Sequence, residues 1–188
     1  DLPGVYRVCL LTGLAGHDAS HLYRDPDLLG HVYAGPYVTF PDAVALVVVD
    51  DHGVAGYCVG VPDTTAFEQW CEREWWPPLR EQHPVTDEDS ADASIVRRLH
   101  EPVVTDPALA RTHPAHLHVD LLPRLQGQGW GRRVMHGVLE GLAASGAAGV
   151  HLGVATDNTG AHAFYERLGF REVGRDEDAR TYARALVR

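Results

Sequence analysis

A glycine-rich segment between a predicted strand and a predicted helix constrains this chain more than any other feature. The segment is Leu121–Arg133, and an amphipathic stretch over residues 131–142 follows its first two glycines. Glycine lets backbone amides approach a ligand closely, and the first turn of a helix offers N–H groups without acceptors together with about half a positive charge. The segment is therefore predicted to form a phosphate cradle.

The sequence of this segment does not match two common types of glycine-rich loop. A P-loop needs a lysine after its second glycine, and this chain contains no lysine. A dinucleotide fingerprint beginning at Gly127 needs its third glycine at position 132, which is Arg132. The cradle must therefore belong to another class of loop.

Charge and composition limit the partners of the chain. The 188 residues carry a formal net charge of −10, so the field of the whole molecule repels nucleic acid and anionic membrane surfaces, and we expect neither as a partner. An anionic ligand needs a local basic pocket, which Arg124, Arg132 and Arg133 can supply beside the cradle. The apolar runs are shorter than the roughly 18 residues that a membrane span requires. The length suits one domain over residues 1–188, and the sequence does not indicate an oligomeric state.

The three cysteines predict buried, reduced thiols. Cys9, Cys58 and Cys71 are an odd number and lie too far apart for a zinc-binding cluster, so no metal site is expected. Near Asp1 no charged segment precedes a long apolar one. A reducing cytoplasmic location is the simplest expectation.

Hydrophobic patterning predicts strands interleaved with helices in the first half of the chain. A first strand is predicted, followed by two short helices and then by a hairpin whose continuous apolar character indicates strands covered on both faces. A helix with aromatic residues at helical intervals follows Pro62 and is expected to stop at Pro77 and Pro78. These elements are Val5–Leu11, Ala19–Tyr23, Leu28–Tyr33, Val44–Val49, Val54–Val61 and the helix with Phe67, Trp70, Cys71 and Trp75.

The second half is more regular, and the whole pattern indicates an α/β (α+β) sandwich around one core. Helices are expected where apolar residues recur at helical intervals, with Gly146 and Gly169 as terminators and Asn158 or Thr159 as a cap. The predicted strands are His116–Leu122, Val150–Ala155, Phe170–Val173 and Thr181–Val187, and the predicted helices are Gly131–Leu142 and one ending at Leu168.

Two motifs resemble those of the GNAT N-acetyltransferase superfamily. The pattern Gln126-x-x-Gly129-x-Gly131, led by a strand and Pro123 and followed by a helix, resembles the acyl-CoA motif of that superfamily. The block Asn158–Phe170, about 30 residues later, resembles its later cofactor and catalytic motif. The order and spacing of the two motifs make the resemblance specific.

A narrower resemblance covers nearly the whole chain. Asp18–Ser20, Asp25–Gly30, Gly56-Tyr57 and His116–Pro123 are similar to segments of bacterial acetyltransferases related to the acetyltransferase-like C-terminal domain of human O-GlcNAcase. The 188 residues have no room for a glycosidase barrel as well.

The resemblance implies a fold and a cofactor. It implies a mixed, mostly antiparallel sheet flanked by helices, with a V-shaped splay between the parallel strands His116–Leu122 and Val150–Ala155, where acetyl-CoA binds. The pyrophosphate would lie on Gln128–Gly131, with the backbone N–H near Leu121 against the thioester carbonyl. Asn158 would contact the pantetheine arm or only cap a helix, and Trp130 would pack over the cofactor or only cover the helix end. The implied cofactor-binding residues are Leu121, Leu122, Gln126, Gly127, Gln128, Gly129, Trp130, Gly131, Arg132 and Asn158.

Direct acetyl transfer to an amine needs a group that removes the amine proton and one that protonates the leaving thiolate. Strand alternation places His116, His118 and Asp120 on one face. Asp120 is the first candidate for the base or for an amine anchor, with His118 as a relay; alternatively Asp120 caps a loop or pairs with an arginine, and the histidines only pack. Tyr165 matches the position of the general acid of the superfamily, although it also belongs to a helical core stripe.

The acceptor is expected to be a small-molecule or peptide amine. Asp63 is first a helix cap and second an acceptor contact, and Tyr33, Tyr37, Trp75 and Trp76 either line an acceptor cleft or pack in the core. Two functions remain open. One is an acetyl-CoA-dependent N-acetyltransferase, and the other is a non-catalytic module that binds acyl-CoA or a partner.

Overall fold

The computed structural model describes residues 1–186 as a mixed α/β fold with one six-stranded sheet. The strands are β1 Val44–Asp50, β2 Gly53–Val61, β3 Ala115–Leu121, β4 Gly149–Ala155, β5 Arg171–Arg175 and β6 Ala179–Ala185. Their order in the sheet is β1-β2-β3-β4-β6-β5, and every neighbouring pair is antiparallel except β3 and β4, which are parallel.

Helices cover both faces of this sheet. The helices are α1 Leu2–Thr12, α2 Leu28–Tyr33, α3 Gly35–Thr39, α4 Thr64–Trp70, α5 Trp76–Gln82, α6 Ala91–His100, α7 Pro107–Thr112, α8 Trp130–Ala144 and α9 Thr159–Arg167. The α8 helix packs on one face of β1, β2 and β3, whereas α1 packs on the other face of β2 and β3.

The sheet and most of the helices confirm the predictions. The β1–β2 hairpin, β3, α8, β4, α9 and the final strand pair occur where the sequence placed them, with ends shifted by a few residues. Gly146 and Gly169 follow α8 and α9 with φ values of 93° and 83°, the left-handed conformation in which glycine ends helices. Val187, the predicted end of the last strand, lies outside the described residues.

The predicted first strand, Val5–Leu11, is wrong, because these residues belong to helix α1. The buried positions Val5, Val8, Cys9 and Thr12 recur at intervals of three and four residues, which is the helical repeat. Pro3 stands in the first turn, where a missing N–H is tolerated. A short apolar run does not distinguish a buried strand from a buried helix, and the strand prediction overlooked the proline.

Three further expectations are wrong. Residues 19–23 form turns rather than a helix, after Asp18 accepts a hydrogen bond from the Ser20 N–H (2.8 Å). Pro77 and Pro78 open helix α5 instead of stopping the pattern, since one π-helical turn over Cys71–Trp75 leads into it and prolines fit a first turn. The β1 strand is not covered on both faces, because Val48 is its only buried residue and Leu46 and Val49 are 39% and 60% exposed.

The cysteine prediction is confirmed: Cys9, Cys58 and Cys71 are free and buried. Among the described residues, no helix is long and apolar enough to cross a membrane. No group of three or more histidine, cysteine or acidic side chains in that part of the chain could hold a metal ion.

Candidate active site

The glycine-rich segment forms an open loop that leads into helix α8. A short 3-10 turn over Pro123–Leu125 follows β3, and Gly127 and Gly129 then adopt positive φ values of 71° and 82°. A Cβ atom added at either glycine would meet nothing within 4 Å, so the loop faces open space. The turn is therefore not sealed by neighbouring side chains.

The loop presents a continuous row of backbone donors. Within the described residues, no N–H from Gly127 to Arg132 has a hydrogen-bond acceptor. The side-chain amide of Gln126 donates to the Leu121 carbonyl (3.0 Å), and that of Gln128 donates to the Arg124 carbonyl (2.6 Å), so both glutamines shape the loop. These are six successive free N–H groups where a 15-residue helix begins, and such groups can bind an anion.

The arginines around the loop differ in their availability. Arg124 is held by Asp50 through two bonds of 2.6 and 3.2 Å, so its charge is already paired. The Arg133 guanidinium lies 4.5 Å from the ring centroid of Trp130, which orders both side chains beside the loop. Arg132 and Arg133 are therefore the cations that can add to the backbone donors.

The sheet opens next to this loop. Strands β3 and β4 pair only at Ala115–Val150 and His116–His151, and the pairing ends there. The Leu122 N–H donates to the Ala55 carbonyl (2.9 Å), so alternate residues of β3 pair with β2. It follows that the backbone groups of residues 117, 119 and 121 point into the gap between β3 and β4. The backbone of Leu121 therefore faces the gap, whereas the Leu122 N–H is already bonded to the Ala55 carbonyl.

Helix α9 carries Tyr165 and packs against the start of α8, where the neighbouring Phe164 lies close to Gly131. The Asn158 side chain accepts a hydrogen bond from the Ala161 N–H (3.2 Å), so it caps the helix, one of the two roles predicted for it. Tyr165 is buried against Phe164, Phe170 and Tyr182. Burial, and to a lesser degree the charge of Asp120, raises the pKa of Tyr165, so its hydroxyl stays protonated at neutral pH.

Asp120 has a specific partner on the neighbouring strand. The Tyr57 hydroxyl donates to its carboxylate at 2.5 Å, and the two residues are direct cross-strand partners. Burial raises the pKa of Asp120, and the bond from Tyr57 acts against that rise.

A cavity of about 450 Å³ lies on the same face of the sheet as His116 and His118. Its wall is aromatic, with three carboxylates and one arginine around it; it is lined by Tyr33, Tyr37, Phe67, Glu68, Glu72, Trp76, Arg98, Asp106, His116, His118, His151, Leu152 and Gly153, among others. The carboxylates of Glu68 and Glu72 accept hydrogen bonds from the Thr105 N–H and from Arg80, each at 2.9 Å. A cavity of this size suits a small molecule or one side chain of a peptide.

The cavity contains only some of the residues that the sequence analysis proposed for the acceptor. Tyr33, Tyr37, Trp76 and His118 line it. Asp63 instead caps α4 by accepting a bond from the Ala66 N–H (3.0 Å), its first predicted role. Trp75 donates to the His31 carbonyl and stacks on Trp70, so it packs between elements.

The histidines of the cavity are held neutral. Burial lowers the pKa of His118 to about 4 and, with the neighbouring imidazoles of His118 and His151, places the pKa of His116 well below its usual value. The Tyr37 hydroxyl lies between the two rings, 2.6 Å from His116 Nε2 and 2.9 Å from His118 Nε2. Neither this contact nor the bond from His116 to Thr64 could be predicted from the sequence, because the bonded residues lie 52 to 81 positions apart and no local pattern connects them.

Comparison with known proteins identifies the family. Residues 19–170 match the model of the acetyltransferase (GNAT) family. The chain is 37% identical to the protein in the crystal structure of SsHAT, with a TM-score of 0.91, and the alignment covers 100% of this chain and 95% of that one.

More distant matches are consistent with this assignment. A crystal structure of the ribosomal-protein-S18-alanine N-acetyltransferase from Escherichia coli shares the fold, with a TM-score of 0.55 at 17% identity over 99% of this chain and 88% of that one. The O-GlcNAcases of Rattus norvegicus and Mus musculus are 27% identical over 157 residues, which is 81% of this chain but only 17% of theirs. The open sheet, the donor row and the family match together show that this chain belongs to the GNAT acetyltransferase family.

Proposed function

We propose that this protein is an acetyl-CoA-dependent N-acetyltransferase whose amine acceptor enters the aromatic cavity, with residues 1–188 acting as one domain. The observation that carries the proposal is the row of free N–H groups from Gly127 to Arg132 at the mouth of the gap between β3 and β4. These donors suit the diphosphate of coenzyme A, and the gap suits its pantetheine arm beside Asn158. The buried, unpaired thiols fit a reducing cytoplasm.

The side chains around the gap can perform both proton transfers. Acetyl-CoA supplies the acetyl group as a thioester. Tyr165 is protonated and can give its proton to the departing sulfur. On the acceptor side, His118 lines the cavity as a neutral imidazole, whereas Asp120 is bonded to Tyr57 and is not among the residues that line the cavity. We therefore place the proton acceptor at His118 and keep Asp120 as the second candidate.

Substitution of Gly129 tests the cofactor site. In Gly129→Ala a methyl group enters the open face of the loop at a residue with positive φ, so acetyl-CoA should bind about tenfold more weakly, which is about 1.4 kcal/mol. Isothermal titration calorimetry with acetyl-CoA measures this change. Gly53→Ala is the matched control, because Gly53 also has a positive φ (96°) and open surroundings but lies in the β1–β2 hairpin. Equal affinities for the two variants, or no binding by the wild type, would contradict the assignment.

Paired substitutions separate the two candidates for the proton acceptor. His118→Gln should lower kcat about 100-fold, because its amide can still donate to Tyr37 but cannot accept the amine proton. Asp120→Asn keeps the shape of the carboxylate and should lower kcat less than fivefold. Thiol release from acetyl-CoA with a panel of amines supplies the rates. The reverse order would move the base to Asp120. Binding of acetyl-CoA without thiol release in response to any amine would support the binding-only module.

A further inference from the structure

A chain of hydrogen bonds connects His118 to helix α4. It runs from His118 Nε2 to the Tyr37 hydroxyl (2.9 Å), from there to His116 Nε2 (2.6 Å), and from His116 Nδ1 to Thr64 Oγ1 (2.8 Å). The Thr64 hydroxyl donates its proton to the Pro114 carbonyl (2.7 Å). The far end of the chain is therefore a group that can only accept.

The fixed end determines the position of every other proton. Because the single hydroxyl proton of Thr64 goes to Pro114, Thr64 Oγ1 accepts from His116, and the proton of His116 must be on Nδ1. A neutral His116 then has a bare Nε2, which accepts from the Tyr37 hydroxyl. The Tyr37 oxygen, having donated, accepts from His118, so the proton of His118 is on Nε2.

We propose that Tyr37, His116 and Thr64 are positioning residues that hold His118 in the tautomer whose bare Nδ1 receives the proton of the acceptor amine. This inference rests on the proposed function and adds which residues determine the tautomer of its base, His118. His118 lines the cavity, and within the described residues its Nδ1 has no hydrogen-bond partner. Thr64 is buried and is not among the residues that line the cavity, so it can act on His118 only through the chain of hydrogen bonds.

The transfer step balances with these assignments. The amine nitrogen forms a bond to the acetyl carbon while the bond from that carbon to sulfur breaks. The proton of the amine passes to His118 Nδ1, and the sulfur receives the proton of Tyr165. The products are an N-acetylated amine and a free thiol, and solvent returns one proton from His118 to Tyr165.

Replacement of Thr64 tests the chain of hydrogen bonds at the end farthest from His118. In Thr64→Val the hydroxyl that accepts from His116 is lost, so the His116 proton can move to Nε2 and donate to Tyr37. Tyr37 then donates to His118 Nε2, and the proton of His118 moves to Nδ1, where it blocks the base. We expect kcat to fall about tenfold with little change in the KM of the acceptor. Thr64→Ser keeps the hydroxyl and should restore the wild-type kcat.

Nitrogen-15 spectra of the imidazole rings give a readout that needs no activity. They distinguish a protonated ring nitrogen from a bare one, and His118→Gln and His116→Gln assign the signals. The wild type and Thr64→Ser should show His118 protonated at Nε2, and Thr64→Val should show it protonated at Nδ1. A wild-type His118 protonated at Nδ1, or identical spectra and kcat values for the serine and valine variants, would overturn the proposal. Because the wild-type spectrum alone can decide, a valine variant that fails to fold leaves the test intact.

The proposed function and the positioning role of Thr64, His116 and Tyr37 can be contradicted separately. Absence of acetyl transfer by a wild type with the expected spectrum would count against the proposed function, whereas transfer by a protein with the opposite spectrum would count against the positioning chain alone.

Discussion

Tyr165→Phe should lower kcat roughly 1,000-fold while leaving the affinity for acetyl-CoA nearly unchanged. The substitution removes one hydroxyl and keeps the ring that packs against Phe164, Phe170 and Tyr182. General acid catalysis contributes about 10²- to 10⁴-fold to a rate, and the phenol of Tyr165 stays protonated because of burial and the nearby charge of Asp120. Steady-state rates with a reactive amine, together with calorimetry on the same variant, measure the two effects.

Tyr182→Phe is the matched control for this prediction. Tyr182 is fully buried in the same aromatic cluster, and its hydroxyl has no hydrogen-bond partner in the described residues. Removal of this hydroxyl should therefore leave kcat unchanged. It should slightly increase the free energy of unfolding, since a buried hydroxyl without a partner is unfavourable. If Tyr165→Phe behaves as Tyr182→Phe does, the proton donor is another group.

Acidification should destabilise the protein before its carboxylates are fully protonated, through His116 and His118. In the unfolded chain each ring has a pKa of about 6.5, whereas in the fold the pKa of His118 is lowered to about 4 and that of His116 lies well below its usual value. Between these values the unfolded state binds more protons, so the free energy of unfolding falls as the pH falls. The part due to His118 is up to about 3 kcal/mol, an upper bound because the ring is partly exposed.

Urea unfolding at a series of pH values between 7 and 4 measures this loss. His118→Gln cannot titrate there, so its stability should vary less with pH than that of the wild type. Asp120 acts in the opposite direction, because its raised pKa makes the folded state bind the extra proton. Since Asp120 is present in both proteins, the difference between their slopes isolates His118. Parallel curves would show that His118 has an ordinary pKa.

The parts of the site that could be predicted from sequence are those that are local in the chain. The cradle needs glycines followed by a helix start, and all of that lies within Leu121–Arg133. The alternation of His116, His118 and Asp120 on one face likewise follows from one strand. Asp63 was recognised as a cap for the same reason, since its partner Ala66 is three residues away.

The features that sequence reasoning missed depend on contacts between distant segments. Tyr37 meets His116 and His118 only because α3 packs against the sheet, and the bond between residues 37 and 118 spans 81 positions. Helix α1 is an exception, because its error was local: a short apolar run fits a strand or a helix, and Pro3 in the first turn was the signal for the helix. The pairing of Arg124 with Asp50, 74 positions away, removed one of the three cations assigned to the cradle.

The short pairing between β3 and β4 has a consequence for the molecule as a whole. Two three-stranded halves, β1-β2-β3 and β4-β6-β5, are joined through backbone hydrogen bonds at only two residue pairs. A molecule lying between them can bond to the exposed peptide edges of both, much as an additional strand would. A ligand that binds in this gap therefore also stabilises the contact between the two halves. The melting temperature of the protein should rise with the concentration of that ligand.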